Sequence, residues 1–126
     1  MFNLIKIGAL LIHTAKIDEN YSKEEEEIIK KTLISLGANR DNLETLITKA
    51  KQCEEDSNQI LDFTREIKAL EEIDKIKIIK SLWKIIYSNK DADIYETNLM
   101  RRLAGLLYID SKMMGNIKEE IKKENI

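Results

Sequence analysis

Shifted by 71 residues, the second half of the chain overlies the first without a gap. Leu11 falls on Leu82, Asp18 on Asn89, Ser22 on Asp93 and Glu25 on Glu96. Beyond them Ile28 and Ile29 meet Leu99 and Met100, Lys30 and Lys31 meet Arg101 and Arg102, Leu36 meets Leu107, and Asn39 meets Asp110. Identities are few, but helix caps, acids and basic pairs agree at one offset, which two unrelated amphipathic helices have no reason to do. Each half reads as apolar helix, acidic loop, capped helix, cap and helix, over about residues 3–54 and 73–124. A duplicated unit of this kind predicts an all-α bundle of about seven helices, with a pseudo-two-fold relation between the halves. The absence of proline and the presence of only 4 glycines support the same class, because strands and tight turns need that punctuation.

The helices follow from apolar spacing and caps. The first, about Phe2 to Lys16, is apolar nearly all round, with a narrow polar stripe of Asn3, Lys6, His13 and Lys16, so it belongs at the centre of the core with His13 facing water. Ser22 and Glu25 form an S-x-x-E capping box for the second, whose buried face is Ile28, Ile29, Thr32, Leu33 and Leu36 and whose end is Gly37. Glu26 and Glu27 stand four residues before Lys30 and Lys31, a spacing that pairs opposite charges. The third helix buries Leu43, Leu46, Ile47, Ala50 and Cys53, and a short fourth carries Ile60, Phe63, Thr64 and Ile67. From about Ile73 to Tyr87 two adjoining apolar rows include Trp83, and Lys77, Lys80 and Lys84 share the remaining face as a solvated stripe. Asp93 and Glu96 repeat the capping box before Leu99, Met100, Leu103, Leu106 and Leu107, and a last helix after Asp110 carries Met114, Ile117 and Ile121.

Composition removes several function classes. At 126 residues the chain is the size of one domain, here residues 1–126, and its net charge of −2 gives no field for nucleic acid or anionic lipid. Cys53 is the only cysteine, which excludes an intrachain disulfide and a multi-cysteine zinc site and points to the cytoplasm. The apolar start is interrupted by Lys6 and is too short to span a bilayer, so direct membrane insertion is not expected. There is no glycine-rich phosphate loop, no H-E-x-x-H motif and no nucleophile motif near the single histidine, so neither catalysis nor an organic cofactor is expected.

The stretches "LLIHTAKIDENYSKEEEEIIKK" and "LWKIIYSNKDADIYETNLMRRLAGLL" resemble the two repeats of the tellurite-resistance TerB family, in which an apolar helix leads into A-D-G-x-x-x-x-x-E and a second helix with basic residues. The resemblance covers about residues 3–120 and is most specific at Trp83, Tyr87, Tyr95, Glu96 and "RRLAGLL". It implies a helical domain without established enzymatic activity, and a divalent cation bound by the acids of the loops, at Asp18 and Glu25 in the first repeat and Asn89 and Glu96 in the second. It also implies a place in membrane-associated stress complexes, peripheral to the inner membrane, with the integral membrane protein TerC as partner. The chain departs from the pattern in two ways: Glu19 and Lys90 replace the loop glycines, and Asn89 replaces an aspartate, which removes one charge from the ligand set.

Residue types alone make calcium or magnesium the fitting ion. Both take several hard oxygen ligands, and the loops supply Asp18, Asn20, Ser22 and Glu25, then Asn89, Asp91, Asp93 and Glu96. The alternation resembles an EF-hand but fails its test, since the sixth position is Lys23 or Ile94 and the twelfth Ile29 or Met100. Capping explains Ser22 and Glu25 without any ion, and the helix dipole favours the run Glu24 to Glu27. Asp18 and Asn89 are the residues that capping leaves without a role. Two functions stand side by side. In one, a metal-responsive module has its acidic loops bridged by a cation. In the other, a metal-free helical adaptor meets a partner protein through the basic pairs Lys30–Lys31 and Arg101–Arg102.

Overall fold

The computed structural model describes residues 4–17, 22–57, 60–88 and 94–124, and the side chains of all of these except 94–96. Seven α-helices run through them: α1 (Leu4–Ala15), α2 (Lys23–Ser35), α3 (Leu43–Asp56), α4 (Leu61–Ile67), α5 (Glu72–Tyr87), α6 (Ile94–Leu106) and α7 (Ser111–Glu124). A single turn of 3₁₀ helix, Arg40–Asn42, leads into α3. No strand occurs among the described residues.

α1 lies at the centre, as its apolar circumference requires. Ile7 to Ile12, Thr14 and Ala15 are all buried, and the helix packs against α2, α3, α4 and α5. Its bounds are shorter than the sequence reading: Lys16 lies in the turn beyond the helix, and Phe2 and Asn3 are outside the described residues. The closest approach is to α3. A Cβ on Gly8 would stand 2.9 Å from the Cβ of Ala50, so the two helices meet where neither carries bulk. Seventy-one residues on, the counterparts of this pair are Ile79 and Ile121, both buried, on α5 and α7. Those two helices also pack together, but across large side chains. One apolar core joins residues from all seven helices, from Ile7 to Ile121.

Helix ends follow the 71-residue offset closely. α2 and α6 have equal length and their bounds are 71 apart at both ends. α2 closes with a Schellman arrangement in which the Ala38 N–H donates to Leu33 O at 2.9 Å and Gly37 has φ of 111°. α6 closes the same way, with Ile109 N–H donating to Ala104 O at 2.9 Å. There the left-handed position is filled by Tyr108, φ 58°, which costs about 1 kcal/mol or more relative to glycine. The exposed Tyr108 ring lies between the ammonium groups of Lys68 and Lys75, each 5.8 Å from its centroid, two cation–π contacts that offset part of that cost. The caps that follow correspond as well: Asn39 accepts from the Asp41 N–H, and Asp110 from the Lys112 N–H. The spatial relation of the halves is not a simple copy. α2 packs on α5, whereas α6 meets α4 and α7.

Candidate functional site

At the first acidic loop, the start of α2 is built as its sequence requires. Ser22 has extended backbone, its hydroxyl accepts from the Glu25 N–H at 3.1 Å, and the Glu25 carboxylate accepts from the Ser22 N–H at 2.9 Å. Glu25 is 1 % exposed and is the one acidic or basic side chain that is buried among the described residues. Burying a carboxylate is costly unless hydrogen bonds hold it, and the capping box supplies one of them. Of the other expected metal ligands, Asp18, Asn20, Asn89, Asp91 and Asp93 are outside the described residues, and Glu96 belongs to α6 with its side chain not described. Among the described residues no three His, Cys, Asp or Glu side chains come together as a metal site. The capping box foreseen at Asp93 and Glu96 also lies outside the described residues.

The basic pair on α2 is split by the fold. Lys30 is half-buried and bridges α2 to α3, with its Nζ 2.8 Å from Glu44 Oε1 and 3.8 Å from Glu26 Oε2. The hydrogen bond that Lys30 donates to Glu44 raises the ammonium's pKa above its ordinary value. Lys51 completes the cluster at 3.1 Å from Glu26 Oε1. The expected pairing of Glu27 with Lys31 is absent among the described residues, and the exposed Lys31 lines a groove between α2 and α5.

That groove was not foreseen. It encloses about 340 Å³ and is lined by Lys31 and Ile28 of α2 and by Lys77, Lys80 and Lys84 of α5, with Thr32, Ser35 and Ser81 between them. The lysines of α5, expected as a solvated stripe, therefore face a fourth lysine across a concave surface, and Lys77 and Lys80 are half-buried. No carboxylate is in the lining. Among the described residues Lys80 alone of the four has an acid in reach, Glu120 Oε1 at 3.5 Å. The hydroxyls are turned to the helices: Thr32 Oγ1 lies 2.8 Å from Ile28 O, Ser81 Oγ 3.0 Å from Lys77 O, and Ser35 Oγ 2.7 Å from Thr32 O. Thr32 and Ser81 also meet across the floor at 2.5 Å, a buried hydroxyl contact that ties α2 to α5. The groove's free donors are thus its ammonium groups.

A second cleft, of about 280 Å³, lies where α5, α6 and α7 meet, and has Trp83, Met100 and Met114 with Arg101 and Lys118 in its lining. Arg101 and Arg102 are exposed, and Arg101 alone of them lines the cleft. Neither cleft has a histidine, cysteine, aspartate or glutamate in its lining. His13 is half-exposed and not simply solvated: Nδ1 is 3.6 Å from Glu54 Oε1, and the ring is tilted against Phe63. Cys53 is partly buried against the core. No helix among the described residues is long and apolar enough to cross a membrane.

Among protein families, the model described as tellurite resistance protein TerB matches residues 4–119. No curated protein matches the chain, and no solved structure does. The family match takes in all of α1 to α6 and most of α7, together with both loops that carry the acids, and the chain belongs to the TerB family.

Proposed function

We propose that this TerB domain is a non-enzymatic adaptor that docks an acidic segment of a partner protein in the lysine groove between α2 and α5. The observation that carries the reading is four lysines lining one concavity without a carboxylate, on a chain whose net charge is −2. Both walls are helices whose backbone groups bond internally, so recognition rests on mobile ammonium groups, which suits a flexible acidic stretch. Lys77, Lys80 and Lys84 span about 10 Å along α5, room for several carboxylates in sequence. The family's association with membrane stress complexes makes a TerC-type membrane protein the first partner to try.

The test is comparative capture. A chain carrying Lys31→Glu, Lys77→Glu and Lys84→Glu is compared with one carrying Lys112→Glu, Lys122→Glu and Lys123→Glu, an equal charge change on α7. A partner held by the control and by the natural chain, but about a hundredfold less by the groove variant, supports the reading, since desolvated charge pairs are worth a few kcal/mol. Equal capture by both variants contradicts it.

A second reading has one observation in its favour, the buried carboxylate of Glu25 at the mouth of the first acidic loop. In it a divalent cation, calcium or magnesium by the hardness of the donors, is held by Asp18 and Glu25 with Asn89 and Glu96, assisted by Asn20, Asp91 and Asp93. The cation would supply positive charge that fixes the two loops relative to each other. Thermal unfolding with calcium, magnesium, manganese and zinc checks this. At about a hundred times Kd, binding adds about 2.7 kcal/mol and raises Tm by several degrees, and the Asp18→Ala, Glu96→Ala double variant loses the rise. An equal rise in that variant, or none in the natural chain, removes the metal reading and leaves the adaptor.

A further inference from the structure

At the cleft between α5, α6 and α7, two carboxylates of the first half have no counterpart at the 71-residue offset. In the first half, Lys30 is clamped between Glu26 and Glu44, and that ion-pair cluster covers the seam between α2 and α3. In the second half the basic residue persists as Arg101, but Thr97 stands in place of Glu26 and Gly115 in place of Glu44. Thr97, Arg101 and Gly115 all line the cleft. Arg101 is exposed and has no carboxylate within 4 Å among the described residues. Where Glu44 would project, Gly115 leaves open space, since a Cβ there meets nothing within 4 Å.

What remains is an apolar hollow with cations on its rim. Trp83, Met100, Ala104 and Met114, each 8 % exposed or less, form its apolar floor, and the indole N–H of Trp83 is already engaged with Met114 Sδ at 3.3 Å. Lys118 lies over the indole face, 5.5 Å from its centroid, so both positive groups border the same hollow. A wall of carbon and sulfur favours a hydrocarbon body, and a guanidinium fork favours a carboxylate held by two parallel hydrogen bonds. We propose that this cleft binds a small amphiphilic carboxylate, whose acid group gives Arg101 the partner that Glu44 gives Lys30. Its volume of about 280 Å³ suits a medium-chain or single-ring acid. The site is separate from the lysine groove, with which it shares no lining residue.

Trp83 is the only tryptophan, so its emission reports the cleft directly in the full chain. Octanoate and its neutral counterpart octanamide are the probes. Octanoate is expected to change the emission saturably, with octanamide at least about tenfold weaker, the worth of one charge-assisted hydrogen-bonded pair. Arg101→Gln lowers octanoate affinity by about tenfold or more and leaves octanamide within about twofold. Gly115→Glu, which supplies the missing carboxylate from within, lowers octanoate affinity by a similar factor, and circular dichroism confirms that both variants keep their helices. The proposal is overturned if octanoate gives no saturable change, if octanamide binds as tightly, or if Arg101→Gln leaves octanoate affinity unaltered.

Discussion

Replacing Trp83 by alanine is expected to lower the unfolding free energy by about 3–5 kcal/mol. Trp83 is 2 % exposed, stacks on Tyr87 with ring centroids 5.9 Å apart, and gives its indole N–H to Met114 of α7. The substitution removes the apolar area, the stacking and the attachment of α5 to α7 together, and the adjoining cleft turns the vacated space into a larger void. Trp83→Phe keeps an aromatic ring and loses chiefly the N–H contact and part of the volume, so about 1–2 kcal/mol is expected. Because the variant lacks the fluorophore, urea unfolding is followed by far-ultraviolet circular dichroism. A loss below about 1 kcal/mol for alanine would mean that α5 and α7 are not joined through this side chain.

Gly8→Ala is expected to destabilise by about 1–3 kcal/mol, against its intrinsic helix preference. Mid-helix, alanine is normally better than glycine by about 0.5–1 kcal/mol, so the sign alone is informative. The new methyl would lie 2.9 Å from the Cβ of Ala50, and an alanine Cβ has no rotamer by which to move aside. Relief requires α1 and α3 to separate, and α1 also contacts α2, α4 and α5, so the strain reaches the middle of the core. Gly115→Ala is the matched control. It too is within a helix, but its Cβ meets open space, and a gain of about 0.5–1 kcal/mol is expected. Thermal unfolding of the two variants side by side checks the contrast; stabilisation by Gly8→Ala would show that α1 and α3 do not approach as described.

The features readable from sequence are those fixed by local chemistry. Ser22 and Glu25 announce a helix start because both halves of the capping box lie within four residues, and Gly37 announces the end because it takes the left-handed turn cheaply. The same offset that relates Ser22 to Asp93 puts Tyr108 where Gly37 stands, and so contained the signal for a left-handed tyrosine, although nothing in the residue type suggests it. Tertiary relations were not readable. Lys30 and Lys31 look equivalent in a linear chain, yet adjacent helical positions point about 100° apart, so one reaches Glu44 on α3 and the other the groove on α5. The lysine groove needs α2 and α5 to be brought together, and no spacing within either helix encodes that. The approach of Gly8 to Ala50 is likewise a property of how two helices cross, and apolar periodicity records only that both positions face inward. The acids at 18, 20, 89, 91 and 93 fall outside the described residues, so the metal reading rests on the family and on donor chemistry.

A groove between α2 and α5 that meets an acidic partner should also take up a short acidic peptide. Backbone-amide NMR perturbation in the ¹⁵N-labelled chain, titrated with a tetraglutamate peptide, tests it most directly. Saturable shifts are expected to concentrate on α2 around Lys31, Thr32 and Ser35 and on α5 from Lys77 to Lys84, with α7 little affected. Shifts spread evenly over Lys112, Lys118, Lys122 and Lys123 as well, or absent from α2 and α5, would contradict it.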